Sequence, residues 1–240
     1  MKYLVSIVFW VVFVTTAPIG FLLGLVLWAV TTPFDPDRRI LHRFICAWTF
    51  GYLRLNPLWE VKVEGRQYLP SGPAVLVANH QSMADVVAVM GLAHPYKYVS
   101  KASLFSLPLV GWMMTLLQYI RLERGSTRST QRMMESCQAW LRRGMPILIF
   151  PEGTYSEGKR LLPFKRGAFQ LAIDQQVPLV PVVIEGTTGL IEGDGPWLSP
   201  RCRIRIRVQP PVEVGDLGVN TVELADRLRA RYREWLALPD

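Results

Sequence analysis

Residues 74–92 read AVLVANHQSMADVVAVMGL, and they contain the strongest fold signal in the chain. The run 74–78 is continuously apolar, which is typical of a strand buried on both faces. The run 86–92 is apolar enough for a buried helix, and a short polar segment separates the two. A strand followed at once by a helix is the repeating unit of an α/β fold.

The same alternation continues along the chain from residue 60 onward. Strands are predicted at residues 61–63, 74–78, 97–100, 119–122, 147–150, 179–184 and 203–208. The two best-bounded helices are predicted at about 130–143, ended by Gly144, and at about 222–236. The pattern predicts an α/β fold with a mixed, largely parallel sheet covered by helices.

The N-terminus is far more apolar than the rest. No charged residue lies between Lys2 and Asp35. A helix over residues 4–30 would be about 40 Å long, more than the roughly 30 Å hydrocarbon core needs. Pro18 and Gly20 in its middle leave a kinked span and a re-entrant hairpin both open. Either form is a membrane-embedded helical segment, and the run is too long for a cleaved signal peptide.

The charge distribution also favours a membrane. The chain combines a net charge of +8 with a positive mean hydropathy of +0.20, and an anionic lipid surface accounts for both. The apolar run is followed by four arginines, whereas Lys2 alone precedes it. These are Arg38, Arg39, Arg43 and Arg54. The positive-inside bias therefore predicts that the body lies at the cytoplasmic face of the membrane.

Residues 39–56 mix arginines with aromatic and aliphatic side chains. This composition favours a helix lying in the membrane interface, with an ordinary core helix as the alternative. We therefore expect two units, with membrane lipids as partners of the first. Residues 1–58 would be membrane-anchoring and interfacial helices, and residues 59–240 the α/β domain.

Several function classes find little support. The three cysteines lack C-x-x-C spacing, and the three histidines lack metal-ligand spacing, so no metal site is predicted. Arginines alternate with apolar residues over 201–208, which fits a sheet edge blunted by charge. Because no nucleic-acid-binding motif accompanies them, no nucleic acid is expected as a partner.

The polar segment after the first strand carries a candidate base. His80 follows the strand's carboxyl end, where ligands bind in open α/β sheets. On one continuous helix, His80 and Asp85 would lie about 140° apart. They can meet only if His80 precedes the helix, with Ser82 as N-cap; Asp85 would then orient the imidazole. The alternative is that Ser82 and Asp85 only cap the helix.

A second buried strand ends in the same way. Residues 146–154 read PILIFPEGT, which places Glu152 in a turn at another carboxyl end. Cations follow this turn and also lie near other strand ends, so a phosphate-bearing ligand is indicated. They are Lys101, Arg121, Arg124, Lys159, Arg160, Lys165 and Arg166.

These motifs resemble those of the glycerolipid acyltransferases typified by 1-acylglycerol-3-phosphate acyltransferase. Asn79-His80 with Asp85 matches the family's N-H-x-x-x-x-D motif, and residues 150–154 match F-P-E-G-T. Residues 118–124 and 177–182 are similar to the second and fourth motifs, and Phe164-Lys165-Arg166-Gly167-Ala168 is similar to F-K-x-G-A. Lys101 begins a segment similar to K-x-x-L-F-x-x-P-x-x-G. The resemblance covers roughly residues 60–210.

The resemblance implies transfer of a fatty acyl group from acyl-CoA or acyl carrier protein to a lysophospholipid, without a cofactor. It implies that His80 is the general base and Asp85 its orienting carboxylate. Glu152 with Gly153 would help to place the acceptor, and Arg124 and Lys101 would hold its phosphate. The full substrate-binding set is Asn79, Lys101, Arg124, Glu152, Gly153, Thr154, Lys159, Lys165 and Arg166.

Two positions depart from the family pattern. Gln118 stands where the second motif commonly has Gly, and Tyr155 stands where F-P-E-G-T is commonly followed by Arg. A phosphate-binding charge is therefore missing, so Lys159, Lys165 or Arg166 replaces it or the acceptor has another head group. A membrane-bound hydrolase, with water as acceptor, and a non-enzymatic basic membrane-binding protein are the rival interpretations.

Overall fold

The computed structural model describes residues 1–156, 158, 160–191, 195–214 and 220–238. The helices are α1 Lys2–Thr31, α2 Arg39–Tyr52, α3 Asp85–Ala88, α4 Val110–Leu116, α5 Thr127–Arg142, α6 Gly167–Gln175 and α7 Thr221–Trp235. The strands are β1 Trp59–Glu64, β2 Val75–Ala78, β3 Lys97–Lys101, β4 Ile120–Leu122, β5 Ile147–Ile149, β6 Leu179–Glu185 and β7 Cys202–Val208.

The seven strands form one sheet in the order β1-β7-β6-β2-β5-β3-β4. Every neighbouring pair is parallel except β6 with β7. The predicted mixed, largely parallel sheet is confirmed, and each predicted strand is present with ends shifted by at most two residues. The central strand β2 lies between β5 and β6, so its carboxyl end lies in the middle of the sheet edge.

Helices cover both faces of this sheet. Alternate residues of a strand point to opposite faces, and β2 follows the rule. Leu76 and Ala78 belong to the core beneath α2 and α4, whereas Val75 and Val77 belong to the core beneath α5, α6 and α7. A strand buried on both faces has no room for polar residues, which explains the unbroken apolar run at 74–78.

Helix α5 begins earlier than predicted. Its N-cap is Ser126, whose hydroxyl accepts a hydrogen bond from Ser129 N at 3.1 Å, so the helix starts at Thr127 rather than near residue 130. Its end is as predicted, because Gly144 has φ of 76° and stops the helix.

The apolar N-terminal run forms the single continuous helix α1, which contains Pro18, so the hairpin alternative is wrong for these residues. One face of α1 packs on the body. Gly20 touches the Trp48 ring of α2 so closely that a side chain there would collide with it. Thr16 Oγ1 lies 2.9 Å from Tyr52 Oη. Ser6 Oγ accepts a hydrogen bond from Leu198 N at 2.8 Å.

The other face of α1 is exposed and apolar, and α1 has the length and hydropathy of a membrane-crossing helix. Its exposed side chains include Leu4, Ile7, Val8, Val11, Val14, Leu22, Leu23 and Val26. Such a face has no favourable partner in water, so its extent favours lipid contact.

Helix α2 packs into the core through its inner face, where Leu41, Cys46 and Phe50 are buried against residues 89–92. The core packing expected of the alternative is therefore present, and a position of the outer face at the membrane interface stays a prediction. The outer face keeps Ile40 and Arg43 exposed. A boundary between units at residue 58 stays a prediction.

The arginine-rich strand β7 is internal, because it lies between β1 and β6. The expected sheet edge is therefore wrong. Its arginines instead form cross-strand ion pairs with the flanking strands. Arg203 pairs with Glu60, Arg205 with Glu64 and Arg207 with Glu185.

Candidate active site

The site is built where β2 and β5 end side by side. Val75 pairs with Ile147 and Val77 with Ile149 in parallel register, so both strands deliver their following turns to the same sheet edge. The β2 turn carries His80 and Asp85, and the β5 turn carries Glu152. The sequence expectation that these strand ends face one site is met in the structure.

His80 and Asp85 form a directly hydrogen-bonded pair. His80 Nδ1 lies 2.8 Å from Asp85 Oδ2, and the two residues are 7% and 0% exposed. An ionised carboxylate only accepts, so Nδ1 carries the proton and Nε2 is left with a lone pair. Nε2 makes no hydrogen bond within the part of the chain that the structure describes. This is the arrangement of a base and its orienting carboxylate.

Asp85 also organises the turn that precedes its helix. Its Oδ2 accepts hydrogen bonds from Gln81 N at 2.6 Å and Ser82 N at 2.9 Å. The capping and orienting interpretations of Asp85 therefore both hold. The proposed N-cap was wrong, since Ala84 is the residue before the helix, and Ser82 Oγ accepts from Ala84 N at 3.2 Å.

Two aromatic rings hold the imidazole in place. Phe150 stacks on His80 with ring centroids 4.2 Å apart, and Tyr155 meets it edge-on at 5.9 Å. The sequence placed Phe150 in a strand and in the F-P-E-G-T motif but did not predict its contact with His80. Phe150 directly follows β5 and His80 lies just beyond β2, so the parallel pairing of these strands brings the two rings together.

The Glu152 carboxylate accepts hydrogen bonds from two main-chain N–H groups. Its Oε1 accepts from His80 N at 2.6 Å and its Oε2 accepts from Leu162 N at 2.9 Å. The side chain is only 4% exposed. Burial raises the pKa of Glu152 to about 7, although the two N–H groups oppose this rise. With both oxygens occupied, Glu152 is placed to fix the backbone of His80, whereas the resemblance implied placement of the acceptor.

Asn79 is likewise occupied within the fold. Its carboxamide accepts from Ile184 N at 2.8 Å and donates to Ile184 O at 2.9 Å. Asn79 is fully buried and so joins the end of β2 to β6. A side chain whose donors and acceptors are satisfied in this way is not free to bind substrate.

The remaining predicted residues divide between two places. A cleft of about 540 Å³, called the site cleft below, is lined by His80, Lys101, Arg124, Gly153, Thr154 and Lys165, among others. Arg166 lines a different depression beside α7. Lys159 lies outside the described residues.

Lys101, Arg124 and Lys165 give the site cleft its positive charge. All three are exposed, and none forms an ion pair among the residues that the structure describes. Lys165 reaches over Gly153, where a Cβ would lie 2.6 Å from its Nζ. Gly153 also has φ of 74°, so a glycine is required there for two independent reasons. Gly153 was predicted as a site residue from its motif, whereas its contact with Lys165 was not.

A separate apolar cavity of about 340 Å³ adjoins the site cleft. Its wall is formed by α1, α2 and α4, and it includes Ala17, Gly20, Trp48 and Met113. The two spaces share Met83, Val86, Tyr98, Ser100 and Leu104. The sequence motifs did not predict this cavity, for which the small residues Ala17 and Gly20 inside the apolar run were the available signal.

The described residues contain no group of three or more His, Cys, Asp or Glu side chains arranged to hold a metal ion. The site brings together His80, the carboxylates of Asp85 and Glu152, three cations and an adjoining apolar cavity.

Comparisons with known proteins agree on one family. Residues 60–185 match the family model described as Acyltransferase. A 1-acyl-sn-glycerol-3-phosphate acyltransferase of Escherichia coli (strain K12) is 33% identical over 197 residues, which cover 79% of each chain. A chloroplastic 1-acyl-sn-glycerol-3-phosphate acyltransferase of Arabidopsis thaliana is 32% identical over 207 residues. That match covers 85% of this chain but 57% of the plant protein. The chain thus spans just over half the length of that relative.

The fold has a counterpart among solved structures. The crystal structure of the 1-acyl-sn-glycerophosphate acyltransferase from Thermotoga maritima superposes with a TM-score of 0.75 at 22% identity. The superposition covers 100% of this chain and 99% of that one. At this identity the likeness concerns the fold, whereas the family model and the relatives rest on sequence. On that evidence, this chain belongs to the acyltransferase family.

Proposed function

We propose that this protein transfers a fatty acyl group from a thioester to the free hydroxyl of a lysophospholipid, with 1-acylglycerol-3-phosphate as acceptor and phosphatidic acid as product. One observation carries the proposal. His80, which is hydrogen-bonded to Asp85 and has Nε2 unbonded among the described residues, lines a cleft that has three cations and adjoins an apolar cavity. The relatives from Escherichia coli and Arabidopsis thaliana are both named 1-acyl-sn-glycerol-3-phosphate acyltransferases, which supports the same acceptor.

The chemistry follows from the orientation of the imidazole. His80 Nε2 takes the proton of the acceptor hydroxyl as the hydroxyl oxygen attacks the thioester carbonyl carbon. The tetrahedral intermediate then breaks its carbon–sulfur bond, and the departing sulfur takes the proton from the imidazolium. Asp85 stabilises the imidazolium between these steps through the 2.8 Å hydrogen bond to Nδ1.

The charges of the site cleft suit a phosphate-bearing acceptor. Lys101 at the end of β3, Arg124 after β4 and Lys165 before α6 line the same cleft. Charge-assisted hydrogen bonds to phosphate are stronger than neutral ones, and they favour a lysolipid whose head group is phosphate alone. Of the two described replacements for the missing Arg at position 155, Lys165 lines the site cleft, whereas Arg166 lines the depression beside α7.

The apolar cavity suits a fatty acyl chain. Aliphatic and aromatic side chains dominate its lining, and burial of each CH₂ group is favourable by about 0.8 kcal/mol. Because α1 forms part of its wall, the helix that contacts lipid also borders the space where an acyl chain would lie. This arrangement supports entry of the lipid from the membrane, with membrane lipids as the surroundings of α1.

The body is proposed to lie at the cytoplasmic face of the membrane. The support is the arginine bias after α1, together with exposed Arg43 and Arg54 on and after α2. Labelling of single cysteines engineered at the exposed positions Ser103 and Arg231 tests this in sealed cells. Reaction with a membrane-impermeant thiol reagent before permeabilisation would contradict it.

The activity itself is tested with the purified full-length protein in detergent. A palmitoyl thioester is supplied with lysophosphatidic acid, lysophosphatidylcholine or lysophosphatidylglycerol, and free thiol and lipid products are both measured. We expect phosphatidic acid in stoichiometric amount with the thiol released, and no fast reaction with the other acceptors. Thiol release with free fatty acid as the only product would establish the hydrolase instead. A faster reaction with another lysolipid would replace the acceptor.

A further inference from the structure

A second cleft lies on the outer side of β4 and α5. It encloses about 750 Å³, a size typical of small-molecule sites, and is called the outer cleft. Its lining includes Arg121, Glu123, Arg128, Arg132 and Trp140. It shares none of the residues assigned above to the acceptor or to the proton transfer.

The outer cleft is positively charged. Three arginines line it against one glutamate. Arg121 is held in place by Thr115 Oγ1, 3.1 Å from its Nη2, and by the Phe105 ring, whose centroid is 4.6 Å from Cζ. The guanidinium groups of Arg128 and Arg132 have no acidic partner among the described residues. Three arginines that converge on a concavity with so little neutralising charge are suited to a polyanion.

The outer cleft borders the site cleft along one strand. Arg121 and Glu123 line the outer cleft, whereas Leu122 and Arg124 line the site cleft. Beyond the carboxyl end of β4, Gly125 lines the site cleft and Ser126 lines the outer one. The segment 121–126 is therefore the boundary that a ligand occupying both clefts crosses.

We propose that the outer cleft binds the phosphate-bearing nucleotide end of a coenzyme A thioester, so that acyl-CoA is the donor. The proposal rests on the proposed acyl transfer. The acceptor phosphate already has Lys101, Arg124 and Lys165, so a second basic site implies a second anionic reactant. In acyl-CoA the phosphates lie at the far end of a flexible pantetheine arm from the thioester. This separation matches two adjoining clefts, one with the base and one with the arginines.

A concave site also distinguishes between the two donor classes. A nucleotide is a small polyanion that a cleft can enclose, whereas an acidic carrier protein docks by its convex surface against a comparatively flat partner. The arginines of the outer cleft line a concavity on the side of β4 away from the base. The geometry therefore favours coenzyme A over acyl carrier protein.

The first test measures binding without turnover. Full-length protein is titrated with coenzyme A and with adenosine 3′,5′-bisphosphate, and wild type is compared with the double variant Arg128→Gln/Arg132→Gln. The matched control is Arg142→Gln, since Arg142 is exposed on the same helix but lines neither cleft. We expect both ligands to bind at least tenfold more weakly to the double variant and equally well to the control. Equal affinity of wild type and double variant would overturn the proposal.

The second test compares donors. The double variant should raise the KM for palmitoyl-CoA at least tenfold and leave turnover of palmitoyl-pantetheine, which lacks the nucleotide, unchanged. An equal loss with both donors would overturn the assignment, because the arginines would then act on something other than the nucleotide. A loss confined to palmitoyl-acyl carrier protein, or to binding of anionic lipid vesicles, would also overturn it in favour of that ligand. If no donor is turned over while coenzyme A binding still depends on Arg128 and Arg132, the acyl-transfer proposal fails and the cleft assignment stands.

Discussion

The backbone N–H of His80 donates a hydrogen bond to Glu152 Oε1 at 2.6 Å, across 72 positions of sequence. The turn after β5 therefore holds the main chain of the residue that carries the base after β2. Because Leu162 N occupies the other carboxylate oxygen at 2.9 Å, Glu152 also ties the following loop to the same point. Glu152 therefore positions the main chain of His80 in this arrangement and does not itself touch the acceptor.

Replacing Glu152 should therefore reduce kcat more than it changes acceptor binding. Glu152→Gln keeps one acceptor oxygen but turns an NH₂ group toward one of the two N–H donors. We expect kcat to fall about ten- to a hundredfold, the scale of a small misplacement of a reacting group, with the acceptor KM changed by less than about twofold. Glu152→Ala should lose more. Steady-state kinetics with varied lysophosphatidic acid decide this, and a steep rise in KM at unchanged kcat would show that Glu152 contacts the acceptor.

The raised pKa of Glu152 predicts a pH dependence of stability. Burial raises this pKa from 4.5 to about 7, so the native state binds more protons than the unfolded state between these values. The contribution of Glu152 to the free energy of unfolding should thus be largest below about pH 4.5 and fall as the pH rises through about 7. The full shift corresponds to about 3 kcal/mol.

Thermal unfolding of wild type and Glu152→Gln in one detergent, followed from about pH 5 to about pH 8, measures this effect. The glutamine cannot ionise, so the stability of wild type relative to the variant should decrease until the pH passes about 7 and then level off. A difference between the two proteins that stays constant with pH would contradict the prediction.

Removing the base should abolish most of the activity while the protein stays folded. His80→Ala is expected to lower the transfer rate by at least about a hundredfold, the usual contribution of a general base. Asp85→Asn should also lose much of the rate, because an amide does not stabilise the imidazolium. Its remaining oxygen can still accept from Gln81 N and Ser82 N, so the melting temperature should change little. A loss of stability with full activity would leave Asp85 with the capping role alone.

Lys165 and Arg166 form a matched pair of neighbours with different surroundings. Lys165 lines the site cleft and Arg166 lines the depression beside α7. Lys165→Ala should raise the KM for lysophosphatidic acid about ten- to a hundredfold, since a hydrogen bond between charged groups contributes about 1.5–3 kcal/mol. Arg166→Ala should leave it unchanged. If both variants behave as wild type and Tyr155→Arg improves the kinetics, another lysolipid becomes the favoured acceptor.

The apolar cavity predicts a dependence on acyl-chain length. Ala17 lines it, so Ala17→Phe should shift the preference among acyl thioesters toward shorter chains. Ala29→Phe is the control, because Ala29 lies on the same helix but is exposed. Competition among thioesters of different chain length, analysed by the lipid products, measures the shift. The same profile in both variants and wild type would show that the acyl chain lies elsewhere.

Much of the fold and part of the site were determined by the sequence alone. Strands were located to within two residues, because a buried strand needs an unbroken apolar run and the residues that end it are local signals. The pairing of His80 with Asp85 was also predictable, since five residues of chain between a strand and a helix leave few ways for the two side chains to meet. Gly153 could be singled out by its turn but not by its contact with Lys165.

Only the tertiary structure decided which side chains share a space. The contact of Glu152 with His80 depends on β5 lying beside β2, and strand order is set by the packing of the whole sheet rather than by any local run. The separation of Lys165 from Arg166 depends on where α6 begins. The apolar cavity exists because α1 packs along α2 and α4 at Gly20. Sequence patterns report local conformation and burial, whereas these contacts join residues far apart in the chain and arise only when the elements pack together.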